Sequence, residues 1–341
     1  MRFPGATHPP LNRQQIIYWE RFGVWLPRQS LSRWTGCAAD WLKPVYELIR
    51  GNVLEGGYVQ IDETPIRYLA PGHGQTRQGY LWTCHKPGGD VFYQWKTSRA
   101  AECLESIVPA GVEMTIGCDG YAGYPAFAKR RGGTITLAGC WAHVRRAFFE
   151  AREEAPRLVG WILQQIRWLY ALERRLRENR AGPRLRQAVR EAESGMILRR
   201  LHRALRRFQA RRTILPRSGF GKAVEYALEQ WPKLWTYVMD GRVEIDNNAC
   251  ERAIRPTAIG KKNWLFIGEA EAGERSAILY TIIESCRRRG INAHEYLKDV
   301  LTRLPSMTNR QIAEVTPEAW ARTRARAREQ AQDRSTATAV A

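Results

Sequence analysis

Asp62 and Asp119 each close a run of alternating apolar residues, and Glu251 falls in a helix-forming stretch far downstream. Carboxylates are hard oxygen donors of the kind that hold Mg²⁺ or Mn²⁺. Two such ions, about 3.5 to 4 Å apart, activate the attacking oxygen and stabilise the leaving one in phosphoryl transfer, with no covalent protein nucleophile. Each residue also has a plainer role open to it. Asp62 stands just before Thr64-Pro65 and Asp119-Gly120 is a turn dipeptide, so either could simply shape a turn. Glu251 lies four residues before Arg255, the spacing of an ordinary ion pair on a helix. Two further carboxylates compete: Glu63 adjoins Asp62 but points to the opposite face of a strand, and Glu284 sits on a later helix. What favours Asp62, Asp119 and Glu251 is the order of the elements that carry them.

From residue 58 the apolar period is two. Val59 and Ile61 alternate with polar neighbours up to Asp62, and 80–84 and 91–95 are two more strands joined by Pro87-Gly88-Gly89-Asp90, a hairpin signal. A helix over 98–107 with Ser98 as its cap follows, then a strand over 114–118 ending at Asp119, a short helix over 121–129 and a strand over 134–137. This order opens an RNase H-like α/β fold with a mixed sheet. In such a sheet the first and fourth strands are neighbours, so the two aspartates face each other and a later helix brings Glu251 beside them.

The flanking segments are helical. Residues 12–22, 28–34 and 38–50 predict three short helices, either a helix-turn-helix or a packing bundle. Leu158, Ile162, Ile166, Leu169, Leu172 and Leu176 step by three and four, as do Leu198, Leu201, Leu205 and Phe208, which predicts an all-helical insertion punctuated by Pro183, Pro216 and Pro232. A helix capped by Asp246 or Asn247 and ending before Pro256 carries Glu251. Helices over 276–289 and 293–304 close the fold. The expected organisation is a helical region over 1–52, the first part of the catalytic domain over 53–150, a basic insertion over 151–243, the rest of the catalytic domain over 244–305, and a partly disordered tail over 306–341.

The 341 residues carry 54 Lys and Arg against 34 Asp and Glu, a formal net charge of +20. The excess is concentrated: 141–240 holds 22 basic and 10 acidic residues, whereas 51–140 holds 8 of each. A polyanion is the expected partner, met by arginines such as Arg199, Arg200, Arg203, Arg206, Arg207, Arg211 and Arg212. The alternative is a solvated arginine-rich helical face. The seven cysteines are scattered and form no Cys-x-x-Cys, which argues against a disulfide framework or zinc ribbon and for a reducing cytoplasm. The first ten residues lack the apolar core of a secretion signal, and no run is apolar enough for a membrane span.

Several motifs in order resemble the bacterial transposases of the insertion sequence sixty-six family: Ile61-Asp62-Glu63-Thr64, Cys118-Asp119-Gly120-Tyr121, Cys140-Trp141-Ala142-His143-Val144-Arg145-Arg146, Asp246-Asn247-Asn248-x-x-Glu251-Arg252-x-Ile254-Arg255-Pro256, and Lys261-Lys262-Asn263-Trp264. The resemblance covers about residues 10 to 305. It implies a DDE-type DNA strand transferase with Asp62, Asp119 and Glu251 as the triad and two Mg²⁺ or Mn²⁺ ions. His143, Arg145, Arg146, Asn248, Arg252, Arg255, Lys261, Lys262 and Trp264 become expected DNA contacts, with His143 at the scissile phosphate. A homo-oligomer on DNA, accessory proteins of the same element and no membrane partner are implied as well. Family members carry an upstream coiled segment and a cysteine-rich zinc-binding region for which this chain has no room, so a shortened copy is expected. The rival readings are a nuclease or junction resolvase on the same fold, and a non-catalytic DNA-binding relic.

Overall fold

The computed structural model describes residues 10–340 apart from 71 and 73, so the reading of the extreme amino terminus lies almost wholly outside the described residues. The chain runs α1 (Leu11–Phe22), α2 (Arg28–Leu54), β1 (Tyr58–Leu69), β2 (Thr76–His85), β3 (Val91–Lys96), α3 (Ala101–Ile107), β4 (Met114–Cys118), α4 (Gly123–Arg130) and β5 (Ile135–Gly139). A helical stretch follows: α5 (Trp141–Glu150), α6 (Pro156–Glu178), α7 (Pro183–Val189), α8 (Gly195–Gln209), α9 (Gly219–Glu229) and α10 (Trp231–Met239). Last come α11 (Asn248–Trp264), β6 (Phe266–Ile267), α12 (Ala270–Arg288), α13 (Ala293–Arg303) and α14 (Pro317–Val340). The fold is mixed α/β, mostly helical, with a mixed sheet. No described helix is long and apolar enough to cross a membrane.

Contacts divide the chain into two compact units. One comprises 1–56, 63–99 and 252–341; the other comprises 57–62 and 100–251. In the first, β2 and β3 form the expected antiparallel hairpin, with Tyr80 opposite Lys96 and His85 opposite Val91. Its turn is closed by the Lys86 N–H donating to Asp90 O (3.0 Å) and the Gly89 N–H to Lys86 O (2.8 Å), with Gly88 at a φ of 75° that a side chain would oppose. β6 pairs parallel with the distal half of β1, Arg67 opposite Phe266. Ile66, Tyr68, Leu81, Tyr93, Trp95 and Ala277 form the apolar core between this sheet and α12. Gly273 is obligatory there, because a Cβ would sit 2.4 Å from the Trp95 ring.

The second unit is built on three parallel strands. The proximal half of β1 pairs with β4 and β4 pairs with β5, Met114 opposite Ile135 through Cys118 opposite Gly139. The leucine ladder read from the sequence becomes α6 and α8, which bury Ile162, Ile166, Leu169, Leu198, Leu201 and Leu205 with Trp141, Phe148, Phe220 and Tyr237 in one core.

Three differences from the sequence reading share a cause. The two helices expected over 28–50 are one, because Gly36 is helical and buried against the Arg275 side chain rather than a break. The Glu251 helix does not stop before Pro256 but runs through it to Trp264, with Ala253, Ile254 and Thr257 buried around the proline. β1 does not end at Asp62 but passes through Pro65 to Leu69. In each case burial of the neighbouring residues outweighs a local breaker.

Candidate functional site: a carboxylate-bearing strand pair

The strand register decides which side chains share a face. Tyr58 lies opposite Thr115, Val59 opposite Ile116 and Gln60 opposite Gly117. Continued for two residues, this parallel register sets Asp62 level with Asp119, just past the end of β4, on neighbouring strands about 4.8 Å apart. Both aspartates are half-buried. They share the face of Tyr58, Gln60 and Gly117, while Val59 and Ile61 go into the core on the other. Gly117 is small for a reason: a Cβ would lie 3.1 Å from Tyr58 Oη and 3.3 Å from Gln60 Cγ. Asp119 Oδ1 accepts the Tyr121 N–H at 2.9 Å, which fixes the turn after β4. Tyr226 packs on Gly120, and burial, with Cys140 and Asp119 nearby, pushes its hydroxyl up to about 12.

The segment leading to Glu251 is fastened to this same face. Glu244 N–H donates to Tyr58 Oη (3.1 Å), Gln60 Nε2 to Asp246 O (2.7 Å) and Asn247 Nδ2 to Ile61 O (3.2 Å). Cys250 Sγ reaches Gln60 O at 3.6 Å, and the Asn247 N–H donates to Cys140 Sγ at 3.3 Å. Asp246 then takes the Asn248 N–H on Oδ1 (3.1 Å) and Asn248 Nδ2 on Oδ2 (2.7 Å), and α11 starts one turn before Glu251. Burial first, then the acidic Asp246 nearby, raises the Tyr170 hydroxyl well above the usual range.

Farther back the same segment is held by a buried base. Arg190 is fully buried, bonded to Glu173 at 2.7 and 2.8 Å, and donates to the carbonyls of Tyr237 (2.8 Å), Asp240 (3.1 Å) and Val243 (2.9 Å). Against burial, which would raise it, Arg190 and Arg186 hold the Glu173 carboxyl below its ordinary value. Nothing in the sequence distinguished Arg190 from the arginines around it.

Glu251 lies 3.8 Å from His143 Nε2 through Oε1 and 4.0 Å from Arg146 through Oε2. Glu251 Oε1 and His143 Nδ1 are buried atoms that make no hydrogen bond. Among the described residues, the ligand atoms that gather within 4.8 Å of one another are those of Cys140, His143 and Glu251. Asp62 and Asp119 are level with each other by register and lie outside that trio. Cys140 entered the sequence reading only inside a motif; its signal is Cys-x-x-His at the start of α5. Burial pushes its thiol up to about 12 against the pull of the Asn247 amide.

The competing carboxylates are engaged elsewhere. Glu63 pairs with Arg99 at 2.5 Å, and the nearly buried Glu284 with Arg287 (2.6 Å) and Arg288 (3.2 Å). Arg145 is exposed, lies over the Phe149 ring at 5.9 Å, and lines a cavity of about 450 Å³ with Tyr170, Arg167 and Asn248. Arg252, Arg255 and Lys262 are exposed on α11. Lys261 donates instead to Pro65 O at 3.1 Å, and Trp264 packs half-buried on the core of its unit.

Comparison with known proteins gives these features a family. Residues 6–275 match the family described as "Transposase IS66 family", and 281–317 match its C-terminal element. The uncharacterized protein y4qI of Sinorhizobium fredii is 33% identical over 309 residues, 86% of this chain and 56% of the relative. The uncharacterized protein y4jD of the same organism is 31% identical over 334 residues, 92% of this chain and 63% of the relative. The chain therefore spans less than two thirds of the length of these relatives. On the extent of the family match, it belongs to the IS66 transposase family.

Proposed function

We propose that the chain is a DDE-type, metal-dependent DNA strand transferase, an RNase H-like catalytic domain with a helical insertion between β5 and α11. The observation that carries the reading is the β1–β4 register, which levels Asp62 with Asp119 on the face to which Gln60 and Asn247 tie the Glu251 segment. The donor set suits hard ions, being carboxylates with one buried oxygen, Glu251 Oε1, that has no hydrogen-bond partner. Two Mg²⁺ or Mn²⁺ ions held by Asp62, Asp119 and Glu251 would activate the attacking oxygen and stabilise the leaving one.

The chain's own groups do the rest. Water attacks a phosphodiester at the element's end, forming one P–O bond, breaking another and leaving a DNA 3′-hydroxyl. That hydroxyl then attacks a target phosphodiester in line, and the proton it loses balances the one gained by the departing oxygen. His143 and Arg146, beside Glu251, face the scissile phosphate; Arg145 and Asn248 hold the strand next to it. Arg252 and Arg255, one and four residues beyond Glu251 on α11, and Lys261, Lys262 and Trp264 follow the backbone away from it. Exposed arginines of α8 hold flanking duplex without reading bases. The protein works on double-stranded DNA in the bacterial cytoplasm, on the nucleoid, as a homo-oligomer and with accessory proteins of its element.

The test is strand transfer with a labelled, pre-cleaved end of the flanking element in Mn²⁺. The parent joins the end to target DNA and Asp62→Asn does not. Cleavage without joining would make the chain a nuclease or resolvase, and DNA binding without any metal-dependent chemistry would make it a relic.

A further inference from the structure

One group of ligands does not suit hard-ion chemistry. Cys140 is the residue before α5, His143 follows at i+3 on the same helical face, and Glu251 reaches them from α11. Sulfur, imidazole nitrogen and carboxylate oxygen lie within 4.8 Å of one another, and His143 Nε2 stands 3.8 Å from Glu251 Oε1. Tetrahedral zinc, with bonds of about 2.3 Å to sulfur and about 2.0 to 2.2 Å to nitrogen and oxygen, needs its ligands roughly 3.5 Å apart, so small rotations close the set. One observation points at a missing ligand: Glu251 Oε1, the oxygen that faces His143 Nε2, is buried without a hydrogen bond. The nearest cation, Arg146, lies against the other oxygen, Oε2, at 4.0 Å and leaves Oε1 to the trio. A thiolate with an imidazole selects zinc-class ions over magnesium.

We propose that Cys140, His143 and Glu251 form a three-ligand site for a zinc-class divalent ion, and that its occupancy withdraws Glu251 from Asp62 and Asp119. The first half stands on the trio alone; the second rests on the reading of Glu251 as the third catalytic carboxylate. Zinc is then an inhibitor of strand transfer that competes for one shared side chain.

Cobalt(II) reports the site without any activity, because thiolate ligation gives an intense charge-transfer band in the near ultraviolet. Titration of the full chain with Co²⁺ is expected to give this band at one equivalent, with zinc displacing it and excess Mg²⁺ leaving it in place. Cys140→Ser abolishes the band, His143→Ala weakens binding by roughly tenfold or more, and Cys37→Ser, which removes the one exposed thiol, leaves it unchanged. Asp62→Asn keeps the band while losing strand transfer, so failure of the catalytic reading is told apart from failure of the zinc site. No band, or a band that survives in a folded Cys140→Ser protein, overturns the proposal. Should Cys140→Ser unfold, full-strength binding by His143→Ala overturns it equally. In the activity arm, one equivalent of zinc lowers strand transfer by the parent and does not lower whatever transfer remains in Cys140→Ser; equal inhibition of both refutes the competition.

Discussion

Arg190 and the arginines of α8 and of the turn after it lie close together in the chain and differ in their surroundings. Arg190 is sealed from water, bonded to Glu173 and to three carbonyls of the segment that leads to Glu251. Arg199, Arg203, Arg206, Arg207, Arg211 and Arg212 are exposed, and their contacts are local, such as Arg206 to Gln209 at 3.2 Å and Arg211 over the Phe208 ring at 5.6 Å. The same side chain is a strut where its charge is matched inside, and on the proposed function a phosphate anchor where it is left in solvent. Block charge cannot tell the two apart; burial does.

The largest expected effect breaks the strut. Arg190→Ala leaves the Glu173 carboxylate buried without its main partner and three carbonyls without a donor, and should destabilise the protein by about 3 to 5 kcal/mol in chemical denaturation. A loss no larger than that of an exposed arginine would erase the distinction between strut and anchor.

A second buried base sharpens it. His85 is nearly buried in the other unit, and burial, reinforced by Arg288 and Arg252, pulls its pKa down to about 3. A carboxylate meets Arg190, whereas His85, beside cations, stays neutral. A histidine depressed in the fold contributes stability that is complete above its unfolded value of about 6.5 and is lost as pH falls toward the folded value. The loss should reach about 2 kcal/mol by pH 5. Urea melts between pH 7.5 and 5 measure it, and His85→Gln should flatten that slope; an unchanged slope would place the titrating group elsewhere.

Smaller still is Gly117→Ala, whose added Cβ presses on Tyr58 Oη and Gln60 Cγ, the two groups that fasten the Glu251 segment. It should cost about 1 kcal/mol, and strand transfer should fall more than stability does. The smallest effect on stability belongs to α8: Arg203→Ala should change it by less than about 0.5 kcal/mol. Reversing Arg203, Arg207 and Arg211 together should instead flatten the salt dependence of DNA binding, by about 0.9 in log–log slope for each phosphate no longer neutralised. Salt-independent binding by the parent would return the block to a plain structural role.

Much of this was legible in the residues. The strand Met114–Cys118 with Asp119 at its end, the hairpin at Pro87-Gly88-Gly89-Asp90, and the leucine spacing of α6 and α8 follow from local periodicity and turn chemistry, which the fold leaves intact. Gly36, Pro65 and Pro256 misled because local breakers lose to buried neighbours, and burial is not a local property. Arg190 was unreadable for the same reason: its partners are Glu173, 17 residues away, and carbonyls 47 to 53 residues away. At the site, the types and positions of Asp62, Asp119 and Glu251 could be chosen from element order, but not the nearness of Cys140 and His143 to Glu251, which depends on how α5 and α11 meet.

The central claim is that Glu251 completes a carboxylate site with Asp62 and Asp119, and Glu251→Gln tests it most directly. The change keeps shape and hydrogen bonding and removes the charge. Strand transfer of a labelled duplex in Mn²⁺ and DNA affinity are measured side by side on parent and variant. The account predicts a loss of transfer of roughly 10²-fold or more with affinity unchanged. Transfer at the parent's rate would contradict it and move the third ligand to another carboxylate.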